Sequence, residues 1–284
     1  MTAREGLDLD ATYSRRAVPP GTARHWSWLF APPAARAPLL GVFALLAEWR
    51  ALMSPLTEAP VAAAKLHWWH EEMGRLARRE PVHPIGRLLA ALPRAAAVDF
   101  APLGAAVEAA AAHAAGVPLE RAEELPGFGG RLIGGPLLVA AALSGELADT
   151  AAVAACTAAL GAAEYLFRAL ADYAPQARAG RIVFAVDALL AAGIDNADLE
   201  SAAPPPRLQA FLAAQRRAAA GFFAAAARMP VRDRPAQRGL LVLAALGNAR
   251  LEDGRPPQAD TVRLRDVLLA WRTARGAARG RSRP

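Results

Sequence analysis

Apolar residues recur along this chain at helical intervals, and no window alternates β-branched and polar residues between turn signals as a half-buried strand would. Leu39, Leu40, Phe43, Leu46 and Ala47 mark a helix that opens at Arg36 and Pro38 and is closed by Pro55. A second starts near Pro60 and runs through Ala64, Lys65, Trp68, Trp69, Glu72 and Leu76, and His83-Pro84 begins a short third. Residues 101–116 read as an alanine helix. Leu160, Ala163, Tyr165, Leu166 and Phe167 lead a further helix through Arg168 to Asp172, with Pro175 fraying its end and Gly180 letting the chain reverse. The apolar run 182–186 then returns to the core. Residues 208–228 carry the stripe Leu208, Phe211, Leu212, Phe222 and Phe223, and 240–251 is apolar on nearly every face and so predicted central. A last helix, 261–275, holds Val267, Leu268 and Trp271. The class predicted is all-α, one helical bundle domain over 25–276. The polar residues 1–24, with Pro19-Pro20-Gly21, are expected to form a flexible arm, and 277–284 a basic disordered tail.

Composition agrees with this pattern, since Ala, Leu, Arg and Glu dominate the long segments. The net charge of +7 changes the picture less than it promises. Arg263, Arg265, Arg272, Arg275, Arg279, Arg281 and Arg283 crowd the C-terminus against the single Asp266, so the body is close to neutral. No basic groove for nucleic acid is expected; the tail could touch anionic lipid as a peripheral membrane contact. Cys156 stands alone, which excludes a disulfide framework and points to a reducing, cytoplasmic setting; the first sixteen residues lack the apolar core of a signal peptide. The uncharged runs 132–145 and 150–163 fall short of the roughly 20 residues of a membrane span and read as core helices. Glycines 127, 129, 130, 134 and 135 would let helices approach closely or bend one around a cavity.

Two places concentrate polar chemistry. In His67-Trp68-Trp69-His70-Glu71-Glu72, His67 and Glu71 share a helix face, yet the spacing differs from the two-histidine zinc pattern and no second ligand cluster follows. An amphipathic helix with two packed tryptophans explains it better. The other is Arg168, Asp172, Tyr173, Gln176, Arg178 and Arg181, six polar groups at the end of an apolar helix. A solvated terminus and the mouth of a polar cavity are both compatible with them.

The run WSWLFAPPAARAPLLGVFALLAEWRAL, then AKLHWWHEEMGRL, HPIGRLLAAL, the glycine-rich region and FRALADYAPQARAGRIVFAVDALLAAGI resembles, in that order, the squalene/phytoene synthase family. The resemblance is good over 26–194 and weak beyond. It implies an all-α bundle of the isoprenoid synthase type. Active members join two prenyl diphosphates head to head, over Mg²⁺ held by aspartate-rich motifs on two facing helices, each with two acids four residues apart. The first pair would fall near Arg50 and Ser54, with Glu48 the nearby acid. In the second, the first aspartate matches Asp172 and the other falls on Gln176, while Arg168 takes the place of the usual asparagine.

An arginine cannot ligate Mg²⁺. The departures resemble a branch of the family that lacks these motifs and includes the mitochondrial assembly factor of the respiratory NADH dehydrogenase. The resemblance therefore implies a catalytically degenerate member that binds a prenyl diphosphate, another lipid-like ligand or a protein partner. Its cavity would be lined by Glu48, Arg50, Arg168, Asp172, Tyr173, Gln176, Arg178 and Arg181, Asp172 being the one candidate catalytic group. The rival is an active head-to-head prenyl transferase in isoprenoid biosynthesis, with Mg²⁺ on displaced acids such as Glu71, Glu72 or Glu124. A third reading is a structural partner whose bundle centre is filled.

Overall fold

The computed structural model describes residues 11–255 and 263–280, and every regular element among them is helical. Four helices build the first part: α1 (Ala11–Ala17), α2 (Ala23–Phe30), α3 (Pro33–Leu52) and α4 (Ala59–Ala77). They are followed by α5 (Pro84–Ala90), α6 (Ala101–Ala114), α7 (Glu124–Gly129) and α8 (Gly135–Ser144), the last two continuous through a π-helical turn at Gly130–Gly134. The long α9 (Thr150–Arg178) precedes the short α10 (Val186–Ala191) and α11 (Asn196–Glu200). The chain ends with α12 (Pro206–Ala226), α13 (Arg238–Glu252) and α14 (Leu264–Ala278).

α9 is the axis of the bundle, packed against α12, α8, α13 and the α7–π–α8 segment. The approach to that segment depends on glycine. A Cβ on Gly134 would stand 2.6 Å from the Thr157 carbonyl oxygen, and one on Gly161 would strike the backbone of Gly129 and Gly134. Side chains are excluded there, so the two backbones meet directly. By length and composition alone, 124–144 and α9 could cross a membrane, but most of both is buried inside the fold. α3 is enclosed in turn, with Val42, Phe43, Leu45 and Trp49 fully buried, and α13 is covered on most faces as its composition predicts.

Two expectations need correction. Over its described part, the arm is not loose: α1 buries Ala17 and lies on α3, and Pro19-Pro20-Gly21 is a turn between helices. Gly21 takes φ 79°, Thr22 caps α2 by accepting from the His25 N–H at 3.2 Å, and the Gly21 carbonyl accepts from Arg250 at 2.6 Å. The second concerns α9, which passes through Pro175 to Arg178. Pro175 stands on the exposed side, and the carbonyl it leaves unbonded, that of the exposed Ala171, can face water. Gly180, at φ 73°, then reverses the chain, and the Arg181 N–H bonds back to the Gln176 carbonyl at 2.9 Å. Residues 277 and 278 belong to α14 rather than to a tail. Arg281 and Arg283 lie outside the described residues, as do 1–10.

Candidate functional site

On α9, Glu164, Arg168, Asp172 and Gln176 succeed one another at every fourth residue, which stacks them along one face. Facing them are Trp49 and Arg50 near the end of α3 and Arg24 in the first turn of α2. Between lies a cavity of about 370 Å³. Its apolar lining includes Leu46, Met53, Leu132, Ile133 and Val183; its polar lining includes Arg24, Arg50, Arg168, Asp172, Gln176 and His113. Tyr165 fixes one side by donating its hydroxyl to the Val183 carbonyl at 3.0 Å, with Phe128 and His113 against its ring. The cavity overturns the reading of a filled bundle centre.

Arg168 pairs at 3.3 Å with Glu164, a buried acid one turn before it. Arg50 reaches across from α3 to Asp172 at 3.8 Å, both partly exposed. Arg24 adds a third guanidinium, leaving an excess of positive charge. Burial, then Arg168, lowers the Arg24 pKa to about 9; burial, then Arg168, against the opposing pull of Asp172, lowers that of Arg50 to about 10. Both stay protonated at neutral pH, but their charges are costly as arranged. Burial, helped by Arg181, also lowers the His113 pKa to about 4, so its ring is neutral. Several polar atoms on the wall have no hydrogen-bond partner within the chain: Nε of Arg24, Nη1 of Arg168, Nε1 of Trp49 and Oε1 of Gln176. Buried donors left this way are rare in folded proteins, and three converge here.

Of the residues singled out from sequence, Arg50, Arg168, Asp172 and Gln176 line the cavity, as does Ser54. Glu48, Tyr173, Arg178 and Arg181 do not. Glu48 faces Arg16 of α1 at 3.3 Å, Tyr173 packs toward Phe184, and Arg178 is exposed at the end of α9. Arg181 donates to the Met53 carbonyl at 3.0 Å, tying the reversed chain to the end of α3. The acids proposed as displaced ligands are placed elsewhere. Glu72 is fully buried and accepts from the backbone N–H of Val82 and His83 and from Arg75; Glu71 faces His67 and Arg75; Glu124 accepts from the N–H of Glu120 and Arg121. In the tryptophan motif, Trp69 packs edge-on against Trp49, while His67 and His70 face Glu71 and Glu108 from the surface.

Sequence reasoning missed Arg24 and Glu164. Glu164 carried a usable signal, four residues before Arg168. Arg24 carried a weaker one, the helix-capping Thr22 ahead of an apolar run.

Hard divalent ions take several oxygen ligands, usually carboxylates. The positions where the resemblance places aspartates hold Arg50, Ser54 and Gln176 besides Asp172; Asp172 in the lining and Glu164 one turn before Arg168 are each paired with an arginine, and no group of three or more His, Cys, Asp or Glu side chains converges among the described residues. This donor set does not fit a pair of magnesium ions.

Among solved structures, the chain is similar to a dehydrosqualene synthase in complex with ligand, at 16% identity and a TM-score of 0.69 over 88% of this chain and 90% of that one. It is also similar to the squalene synthase HpnC from Alicyclobacillus acidocaldarius, at 19% identity and a TM-score of 0.64 over 80% and 86%. At such identities the likeness carries the fold, which is of the isoprenoid synthase type. No curated protein sequence matches the chain significantly. The squalene/phytoene synthase family model matches residues 19–274, a span that takes in every residue of the cavity wall, Arg24 included. The chain thus belongs to the squalene/phytoene synthase family.

Proposed function

We propose that this protein is a catalytically degenerate member of its family, which binds an isoprenoid-like lipid with a phosphorylated head and does not ionise it. The observation that carries the reading is the meeting of Arg24, Arg50 and Arg168 in the lining of one cavity, with unpartnered donors on two of them. A phosphate group supplies acceptors for the unpartnered Nε of Arg24 and Nη1 of Arg168 and offsets the excess of positive charge, and it needs no metal to do so. The apolar wall suits a hydrocarbon tail, and the volume lies within the range of small-ligand sites. Arginine at positions 50 and 168 and glutamine at 176 agree with the motif-poor branch that includes the mitochondrial assembly factor.

Calorimetric titration with farnesyl diphosphate in the presence of a metal chelator tests this. Binding is expected, and Arg50→Gln or Arg168→Gln should weaken it about tenfold or more, the worth of a hydrogen bond to a charged group. Heat that appears only with added Mg²⁺ would contradict it. A second reading, an active head-to-head transferase, is favoured by one observation, the aspartate at position 172 on the cavity wall. Diphosphate release with Mg²⁺ that Asp172→Ala abolishes would establish that reading instead.

A further inference from the structure

Helix α14 packs Val267 and Leu269 against the core but leaves its other large apolar residues on the outer side. The buried residues of its inner face, against α13 and α2, are Ala270, Ala274 and Ala277 together with Asp266. Leu264, Leu268 and Trp271, which share a different face, are 74%, 50% and 46% exposed. An ordinary amphipathic helix buries residues of this size. The charge is as one-sided as the hydrophobicity. Asp266 is the sole acid in α14, and it is buried between Arg250 at 3.0 Å and Arg255 at 2.9 Å, so the outward surface shows no negative group of its own.

Arginines border the apolar stripe. Arg265, Arg272 and Arg279 recur at every second turn and line one flank; Arg275 lies over the Trp271 ring at 5.0 Å. Arg265 also meets Asp253 at 2.8 Å; Arg272 and Arg279 are exposed. The patch continues past the helix, where Val231, 57% exposed, lies beside Gly280 and is followed by the exposed Arg232.

We infer that the outer face of α14 docks on an anionic lipid bilayer. Leu264, Leu268 and Trp271 enter the boundary between headgroups and acyl chains, and the arginine flank meets the lipid phosphates. Tryptophan suits that depth because its ring is amphipathic, and arginine stems extend along apolar surface while their heads stay wet. A second copy of the chain suits the face poorly, since an antiparallel two-fold contact of the helix would set one arginine flank against its twin.

Co-sedimentation of the full chain with vesicles decides the matter. One set is phosphatidylcholine alone, the other phosphatidylcholine and phosphatidylglycerol in equal parts. The chain should pellet with the mixed vesicles and stay in solution with the neutral ones, and salt should release it. Leu268→Ser with Trp271→Ser, and separately Arg272→Glu with Arg275→Glu, should each lower the partition about tenfold or more. Their melting temperatures should match the parent, since the altered side chains are exposed. Failure to bind mixed vesicles, equal binding to neutral ones, or binding that both variants retain would each overturn the inference. So would sedimentation velocity showing that the face instead joins two copies of the chain.

Discussion

Arg50 and Asp172 approach to 3.8 Å from opposite walls of the cavity, one on α3 and the other on α9. In an ion-pair site of this kind, the acid competes with any incoming anion for the same guanidinium. Asp172→Asn should therefore tighten binding of inorganic diphosphate in metal-free buffer, by up to about fivefold given the ~1 kcal/mol such partly exposed pairs are worth. Isothermal titration of parent and variant measures it. Weaker binding in the variant would mean that Asp172 helps to hold the ligand.

The pair of Arg168 and Glu164 is more deeply enclosed, with side-chain exposures of 16% and 7%. Removing one partner leaves the other charge buried and unpaired. Arg168→Met should cost about 3 kcal/mol of stability, whereas Arg168→Met combined with Glu164→Met should recover most of that loss. Urea unfolding of the single and double variants gives the coupling. An additive double variant would show that the two side chains are stabilised independently.

His113 makes stability depend on pH. Its ring is neutral in the fold down to about pH 4, whereas in the unfolded chain it protonates near its ordinary value of 6.5. Between those values the unfolded state binds the extra proton, so stability is lost as pH falls through that window and regained as it rises. The loss should approach about 3 kcal/mol by pH 4, and His113→Gln should remove it. Melting curves from pH 7 to pH 4 on both proteins test the difference, and parallel curves would contradict it.

Glycine at 161 is a packing requirement, while at 221 it is not. Gly161→Ala forces a methyl into the backbone of the π-helical turn and should destabilise by about 3 kcal/mol or more. Gly221→Ala, in α12 with no atom within 4 Å of the added Cβ, should stabilise by up to about 1 kcal/mol. Thermal melts of the two variants should shift in opposite directions.

The helices could be read from the chain because their apolar stripes are long and turn residues such as Pro60 and Gly180 mark their ends, although α3 starts at Pro33, one turn before the Arg36 and Pro38 that the sequence pattern suggests as its opening. Local rules failed where a contact distant in sequence decided the outcome. Pro19-Pro20-Gly21 looked like a loose arm because its stabilising partners, Arg250 and the buried face of α3, lie far along the chain. Pro175 looked like a helix end because its exposure, which makes the missing hydrogen bond tolerable, is a property of the packed bundle. At the cavity, Arg168, Asp172 and Gln176 were legible from their spacing and from the resemblance. Arg24 was not, since nothing near it in sequence says which wall α2 will face. The outward turn of Trp271 was hidden for the same reason: its helix shows two apolar faces, and only the fold decides which one the alanines claim.

One guanidinium, that of Arg250, grips the Gly21 carbonyl and the Asp266 carboxylate together. During synthesis, therefore, the turn that seats Arg24 gains its last anchor only when residue 266 has left the ribosome. A chain stopped short of α14 would hold Arg250 without its acid, and the earliest-made wall of the cavity would be left slack.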